Sequence, residues 1–321
     1  MSIVCKKNSV HQSETYTYRG ASARFAAILC TVESQHAAFI IQSIISSSAI
    51  KFERMQEFLK VCEEAARAAG KVLLDLQGRI SVREKGPRDL VTEADLASQE
   101  TIQQTVLGAF PDHDFLGEED SSFDTRRERT SGNYCWIVDP LDGTTNYVHR
   151  LQTFSVSVAL ERQGQILVGV VFDPIMDECY SATANGGALL NGSRLSTSKC
   201  SRLTEALVAA SLPAAVPRGS LMVSQFVELL YECRAVRRLG SAALNMCYLA
   251  AGRLDAYWAP SIKIWDIAAG LLIVREAGGV VTDSTGGELD LAQPKMIAAA
   301  NDGVHRELIK VVNRVPTPDQ G

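Results

Sequence analysis

The sequence lacks the features that would place it in a membrane, on nucleic acid or around a structural zinc ion. No apolar run in its 321 residues reaches the roughly 18 residues that span a bilayer. The formal net charge is −5, and no basic stretch is dense enough to bind nucleic acid. The eight cysteines are scattered and form no C-x-x-C pair, which predicts reduced thiols without disulfides. We therefore expect a cytoplasmic protein without a membrane or nucleic-acid partner.

Glycine-rich phosphate loops are also missing. Neither G-x-x-x-x-G-K-[ST] nor G-x-G-x-x-G occurs, so nucleotide-loop folds have no support. With an acidic chain, an anionic substrate would need a local cation, and a bound metal ion is one way to supply it. The composition, 46% hydrophobic and 21% charged, is that of a folded chain with two domains or one large one.

Residues 1–52 differ from the rest because they are rich in Ser, Thr and Ala and show no sustained periodicity. We expect a poorly ordered N-terminal extension. Basic residues such as Lys6 and Arg19 leave an organelle-targeting peptide open. The favoured interpretation is that translation starts at Met55, which N-terminal sequencing of the native protein would test.

The stretch from Trp136 to Asn146 reads WIVDPLDGTTN, and the rest of the chain is organised around it. Its apolar start predicts a short buried strand, which we expect to stop at Asp139 because Pro140 cannot donate to a sheet. Asp139 and Asp142 would then lie at the mouth of a buried strand, where acids are costly without a positive charge between them. Turn chemistry alone also explains D-P-x-D-G.

Gly143, Thr144 and Thr145 follow and could open a helix whose N-terminus binds an anion. A metal beside an anion cradle suggests phosphoryl chemistry. Haloacid-dehalogenase phosphatases offer a second enzyme interpretation, with an aspartate nucleophile in D-x-D-G-T. Here the two acids are three residues apart rather than two, which argues against that family.

Before this stretch, the pattern predicts a helix from near Glu53 to Gly78. Thr92 and Asp95 resemble a capping box that opens a second helix. A short strand then leads to Gly117-Glu118-Glu119-Asp120, where three acids form either a solvated loop or part of a site.

After the central stretch, alternation from Phe154 to Leu160 predicts a half-buried strand, followed by an antiparallel meander. From about residue 196, strands and helices alternate, as in an α/β fold. We expect an α+β domain at 53–195 that carries the site and an α/β domain at 196–315 that completes it.

Four segments stand in a recognisable order: DLVTEAD (89–95), GEE (117–119), DPLDGTTN (139–146) and WDIAAG (265–270). Together they resemble the inositol monophosphatase family, within the magnesium-dependent, lithium-sensitive phosphatases that include fructose bisphosphatases. The resemblance covers about residues 55–312. It implies an α/β fold, a layered αβαβα sandwich, and a homodimer.

The resemblance also implies a site with two to three Mg²⁺ ions. The implied metal ligands are Glu118, Asp139, the Leu141 carbonyl, Asp142 and Asp266. The implied catalytic residues are Glu118, Thr144, which positions the attacking water, and Asp95, which polarises Thr144. The implied substrate-binding residues are Asp142, Gly143, Thr144, Gly240, Ser241, Ala242 and Asp266.

The implied reaction is hydrolysis of inositol monophosphate by metal-activated water, without a phosphoenzyme. One position departs from the family pattern, because Ala259 stands where a glutamate that binds inositol hydroxyls is expected. The departure leaves open fructose bisphosphate, another sugar phosphate, a nucleotide 3′-phosphate and histidinol phosphate. A catalytically silent phosphate-binding protein is the alternative from another class. Lys85 lies one position from a family lysine that faces the site, and His149 is expected at the surface.

Overall fold

A computed structural model describes residues 2–9, 12–19, 35–79, 82–86, 89–120 and 133–315. The chain divides into two compact units, Met1–Arg54 and Met55–Gly321. The first unit contains an antiparallel hairpin, β1 (Ser2–Ser9) with β2 (Gln12–Arg19), and the start of helix α1 (Gln35–Leu76). The expectations of a poorly ordered extension, a targeting peptide or a later start stay predictions.

The second unit contains the rest of α1, six further helices and fourteen strands among the residues described. The helices are α2 (Glu93–Ala109), α3 (Thr144–Val148), α4 (Leu221–Glu232), α5 (Ala242–Ala250), α6 (Ile264–Glu276) and α7 (Asp302–Arg314). The strands are β3 (Val82–Gly86), β4 (Asp89–Thr92), β5 (Asp114–Gly117), β6 (Tyr134–Asp142), β7 (Ser155–Arg162), β8 (Gln165–Asp173), β9 (Glu178–Thr183), β10 (Gly187–Leu190), β11 (Ser193–Arg194), β12 (Leu207–Ala210), β13 (Ala235–Arg237), β14 (Ala256–Ala259), β15 (Val280–Asp283) and β16 (Met296–Ala299). None of the described helices is both long and apolar enough to cross a bilayer.

Two mixed sheets form the frame. The first has seven strands in the order β11-β10-β9-β8-β7-β6-β5, antiparallel except for the β5–β6 pair. The second has five strands in the order β13-β12-β14-β16-β15, in which β12 runs parallel to both of its neighbours. The meander predicted after Phe154 is confirmed as β7, β8 and β9.

The helices lie in three layers around the two sheets. Helices α1 and α2 pack on one face of the seven-stranded sheet, through residues such as Phe58 and Ile102. Helices α5 and α6 fill the space between the sheets, where Met246 and Ile267 belong to one core with residues of both. Helices α4 and α7 cover the outer face of the five-stranded sheet. The αβαβα sandwich is therefore confirmed, while the division into domains at residue 196 stays a prediction.

The prediction that the strand after Phe154 is half-buried was wrong. Residues 155–161 are buried without interruption. Val158 packs in the core under α1 and α2, and its neighbour Ala159 packs in the core under α6. Helices cover both faces of this strand, so neither face is open to water. The alternation therefore separates small from larger apolar side chains rather than exposed from buried ones.

The local capping signal placed the start of α2 correctly. The capping box is present at α2, where Thr92 is the N-cap and Asp95 accepts from its backbone amide at 2.8 Å. Helix α1 begins earlier than expected, at Gln35, because no Gly or Pro interrupts the chain between there and Gly70. The six cysteines whose side chains are described are free thiols.

Candidate active site

The site is built on an irregularity in β6. Asp139 lies opposite Ser157 on β7, and Asp142 lies opposite Ser155, so three steps on one strand match two on the other. Residues three apart on a regular strand point to opposite faces. The bulge removes this difference, because Ser155 and Ser157 share a face and each acid lies beside one of them.

The prediction that the strand stops at Asp139 was wrong, because β6 continues to Asp142. Pro140 lies within the bulge, where the ladder needs no donor from it. Its carbonyl oxygen accepts a hydrogen bond from the Ser98 hydroxyl at 2.7 Å. The amide of Leu141 donates to Asp139 Oδ1 at 3.0 Å, which fixes the first acid within the bulge.

Two further acids arrive from neighbouring elements. Gly117, the last residue of β5, pairs with Val138, and the Glu118 amide donates to the Val138 carbonyl at 3.1 Å. Asp266 lies in the first turn of α6 and accepts from the Lys263 amide at 2.9 Å. Carboxylate oxygens of Glu118, Asp139 and Asp266 all lie within 4.8 Å of one another.

The fourth acid, Asp142, joins β6 to the start of α5. Its Oδ1 accepts from the Ala242 amide at 3.0 Å, and its Oδ2 accepts from the Ala243 amide at 2.8 Å. The hydroxyls of Ser241 and Ser155 also donate to Oδ2. A carboxylate has about four acceptor positions, so Oδ1 retains one for a further ligand.

Burial raises the pKa of Asp139 and Asp266 well above the usual range, and the neighbouring carboxylates raise it further. Burial also raises the pKa of Asp142, although the bonds from Ser241, Ala242 and Ala243 oppose this effect. A bound cation would offset the repulsion among these buried carboxylates. The donor set consists only of oxygen atoms, so these residues fit a hard divalent ion such as Mg²⁺.

Thr144 opens α3 beside this cluster. Its hydroxyl lies 3.3 Å from Asp95 Oδ1 and 3.1 Å from the Leu141 carbonyl oxygen. The other oxygen of Asp95 accepts from the amide and the hydroxyl of Thr92. Asp95 therefore caps α2 and contacts Thr144 at the same time.

Gly143 and Gly240 are two positions where segments of the site approach one another closely. Gly143 has φ of 96°, and a Cβ there would lie 2.9 Å from the Thr153 carbonyl oxygen and 3.2 Å from that of Gly240. Gly240 has φ of 89°, and a Cβ there would lie 2.7 Å from Asn146 Nδ2. Both segments thus depend on the absence of a side chain.

We expect Gly143→Ala to lower the free energy of unfolding by about 2–4 kcal/mol, because it combines backbone strain with a backbone clash. Gly164→Ala is the matched control, since Gly164 has φ of 79° and nothing lies within 4 Å of its Cβ position. The control should cost only about 1–2 kcal/mol, the strain alone. Equal losses in urea denaturation would show that the close approach at Gly143 is unimportant.

The remaining predicted residues lie as follows. Ala259 is buried on β14 opposite Met296 and brings no carboxylate. Glu119 is half-buried, and its amide donates to Gln99 Oε1 at 3.0 Å. His149 is exposed, as expected. The side chain of Lys85 lies outside the described residues.

Sequence reasoning missed Ser155 and Gln99, which contact Asp142 and the Glu118 loop. Ser155 carried a weak signal, because two serines alternate in the strand that follows the central stretch. Gln99 carried none that could separate it from the other glutamines of α2.

Comparison with known proteins agrees with this geometry. A model of the inositol monophosphatase family matches residues 54–317. The chain belongs to the inositol monophosphatase family. An inositol-1-monophosphatase of Mesorhizobium japonicum is 40% identical over 261 residues, which cover 80% of this chain and 96% of that protein. A protein of Pasteurella multocida named Nus factor SuhB is also 40% identical, over 267 residues that cover 80% and 96%.

The same family appears among solved structures. The extragenic suppressor protein suhB of Bartonella henselae is 36% identical, with a TM-score of 0.76, and the match covers 81% of this chain and 100% of that one. Membership in the inositol monophosphatase family therefore rests on sequence and fold together.

Proposed function

We propose that this member of the inositol monophosphatase family is a Mg²⁺-dependent phosphomonoesterase that hydrolyses inositol monophosphate. The observation that carries the proposal is the cluster of Glu118, Asp139 and Asp266, joined by Asp142 across the β6 bulge. The four acids offer oxygen ligands for metal ions and lie beside the start of α3, an arrangement that fits metal-assisted phosphoryl transfer.

In this proposal Glu118, Asp139 and the Leu141 carbonyl would hold one Mg²⁺ ion. Asp139, Asp142 and Asp266 would hold the second. Bound Mg²⁺ would supply the positive charge that holds the phosphate, lowers the pKa of a water and stabilises the leaving oxygen. Asp142 would contribute through Oδ1, the oxygen that accepts a single hydrogen bond, from the Ala242 amide, among the residues described.

Thr144 would orient the attacking water. Its hydroxyl has one hydrogen but two acceptors within reach, Asp95 Oδ1 and the Leu141 carbonyl oxygen. If the Leu141 oxygen is a metal ligand, the hydrogen turns to Asp95. The hydroxyl oxygen then keeps its lone pairs for a hydrogen bond from the water. The amides of Gly143 and Thr144 would donate to phosphate oxygens.

The alcohol part of the substrate would lie near Gly240, Ser241 and Ala242. The Ser241 hydroxyl and the Ala242 amide already donate to Asp142, so they would act on the substrate through that carboxylate. Inositol monophosphate is our leading candidate because similar proteins are named inositol-1-monophosphatase. The apolar Ala259 keeps fructose bisphosphate, other sugar phosphates, nucleotide 3′-phosphates and histidinol phosphate as alternatives.

The decisive experiment measures phosphate release with and without Mg²⁺ from inositol 1-phosphate, fructose bisphosphate, phosphoadenosine phosphate and histidinol phosphate. Highest kcat/KM on inositol 1-phosphate, lost in EDTA, would support the proposal. A different best substrate would retain the metal site and change the substrate. Mg²⁺ binding without any turnover would favour a catalytically silent phosphate-binding protein.

We also propose a homodimer, as the family resemblance implied, and a cytoplasmic location, as the scattered cysteines without C-x-x-C spacing indicated. Light scattering of the purified chain tests the first statement, because a monomer mass at micromolar concentration would contradict it. Fractionation of cells that produce the native protein tests the second.

A further inference from the structure

Gln99, in the middle of α2, contacts the loop that carries Glu118. The side chain is buried, with 8% of its surface exposed. Its Nε2 donates to Asp120 Oδ1 at 3.0 Å, and its Oε1 accepts from the Glu119 amide at 3.0 Å. Asp120 Oδ2 in turn accepts from the Gly117 amide at 2.9 Å. These three bonds tie the backbone on both sides of Glu118 to α2.

Gly117 allows this arrangement by having no side chain. A Cβ on Gly117 would lie 2.1 Å from Gln99 Oε1, so the amide group packs directly on the backbone of the loop. The φ of Gly117 lies outside the left-handed region, so only the contact with Gln99 excludes a side chain there. The bonds and the packing thus act at the same point.

Glu118 needs such support more than the other acids do. Asp139 accepts a hydrogen bond from the Leu141 amide, and Asp266 accepts one from the Lys263 amide at the start of α6, so local backbone hydrogen bonds fix their short side chains. Glu118 follows the end of β5 and has a longer side chain with more rotatable bonds. Its carboxylate lies near two others of the same charge, and their repulsion favours movement of the loop away from the cluster.

We propose that Gln99, together with Asp120, is a positioning residue that holds the Glu118 loop at the acid cluster and thereby sets the affinity for Mg²⁺. The inference rests on the proposed function, in which this cluster binds Mg²⁺. Groups that orient metal ligands without touching the metal commonly change metal affinity by about 10–100-fold.

The test compares Gln99→Leu with the wild type by isothermal titration calorimetry with Mg²⁺ alone. Leucine is similar in size but forms none of the hydrogen bonds. We expect Mg²⁺ binding to weaken by about 10–100-fold. We also expect the Mg²⁺ concentration for half-maximal phosphate release to rise in parallel. Gln104→Leu is the control, because Gln104 lies on the same helix with an exposed side chain that donates a hydrogen bond to Glu100.

A second variant exchanges the donor and the acceptor of the hydrogen bond between residues 99 and 120. In Gln99→Glu/Asp120→Asn, the new glutamate accepts from the Glu119 amide and from the new asparagine, whose oxygen accepts from the Gly117 amide. All three bonds and the net charge are retained. Gln99→Glu alone would instead place two carboxylates together. We expect the double variant to bind Mg²⁺ within about 3-fold of the wild type, and the single variant to bind far more weakly.

Gly117→Ala approaches the same contact from the loop side and should displace the Gln99 amide, with a similar loss of Mg²⁺ affinity. It serves in place of Gln99→Leu if that variant fails to fold. Wild-type affinity in both Gln99→Leu and Gly117→Ala would overturn the inference while the proposed function stands. Absence of Mg²⁺ binding in the wild type would overturn the proposed function first.

Discussion

Asp139→Asn should abolish most phosphatase activity and at the same time stabilise the metal-free protein. We expect kcat to fall at least about 100-fold, because changes even in groups that only support a metal ligand cost about 10–100-fold. Without metal, the substitution removes a carboxyl group whose ionisation is opposed by burial and by the nearby carboxylates of Glu118, Asp142 and Asp266, which raise its pKa. Asparagine retains an oxygen that can accept from the Leu141 amide.

We expect the free energy of unfolding in EDTA to rise by about 1–3 kcal/mol in Asp139→Asn. For a chain of this size, that corresponds to an increase in Tm of several degrees, about 2–4 °C per kcal/mol. The stabilisation by added Mg²⁺ should shrink or disappear. Asp177→Asn is the matched control, because Asp177 is exposed and its φ of 50° suits asparagine. Near-normal turnover in Asp139→Asn would refute the ligand assignment.

Asp142→Ala should have the opposite effect on stability. It removes the acceptor of the Ala242 and Ala243 amides and of the Ser241 hydroxyl, all of which are buried. Each buried donor left without a partner costs about 1–3 kcal/mol. We expect the free energy of unfolding to fall by about 3–5 kcal/mol, with a decrease in Tm of about 10 °C, even in EDTA.

Variants of Asp139 and Asp142 thus distinguish two effects on stability. The first reports repulsion among the buried carboxylates, and the second reports the hydrogen bonds that Asp142 accepts from the start of α5. Ser241→Ala in combination with Asp142→Ala forms a double-mutant cycle, in which the second change should cost less than it does alone. Asp75→Ala is the control, since Asp75 is exposed and, in the described part of the chain, forms its ion pair with Lys71 on α1. Its loss should stay within about 0.5 kcal/mol. A rise in metal-free stability for Asp142→Ala would contradict its role in joining β6 to α5.

The acids of the site could be predicted from the sequence because their local setting is unusual. Asp139 and Asp142 follow a strongly apolar run, and Asp95 stands at capping-box spacing from Thr92. Such signals lie within a few residues of one another. The family pattern then indicated which acids would meet, and the structure places Glu118, Asp139 and Asp266 together. Their roles as ligands stay a prediction.

The features that the sequence did not predict depend on contacts between segments that are distant in the chain. The bulge at Pro140 is defined only relative to β7, because its residues pair with Ser155 and Ser157. The role of Gln99 depends on β5 passing beside α2. The burial of both faces of β7 requires helices from the two ends of the chain. Periodicity within one segment reports none of these long-range contacts.

The shared helix layer has a consequence for synthesis. The inner face of the seven-stranded sheet, with Ile137, Val171 and Tyr180, is covered by α5 and α6, whose residues come later in the chain. Until Glu276 has left the ribosome, a growing chain that has already formed this sheet leaves the face open to water. Such a nascent chain is prone to aggregate and is a substrate for chaperones. Ribosome-bound chains from which residue 195 has emerged should therefore bind a hydrophobic dye more strongly than longer chains from which α6 has also emerged.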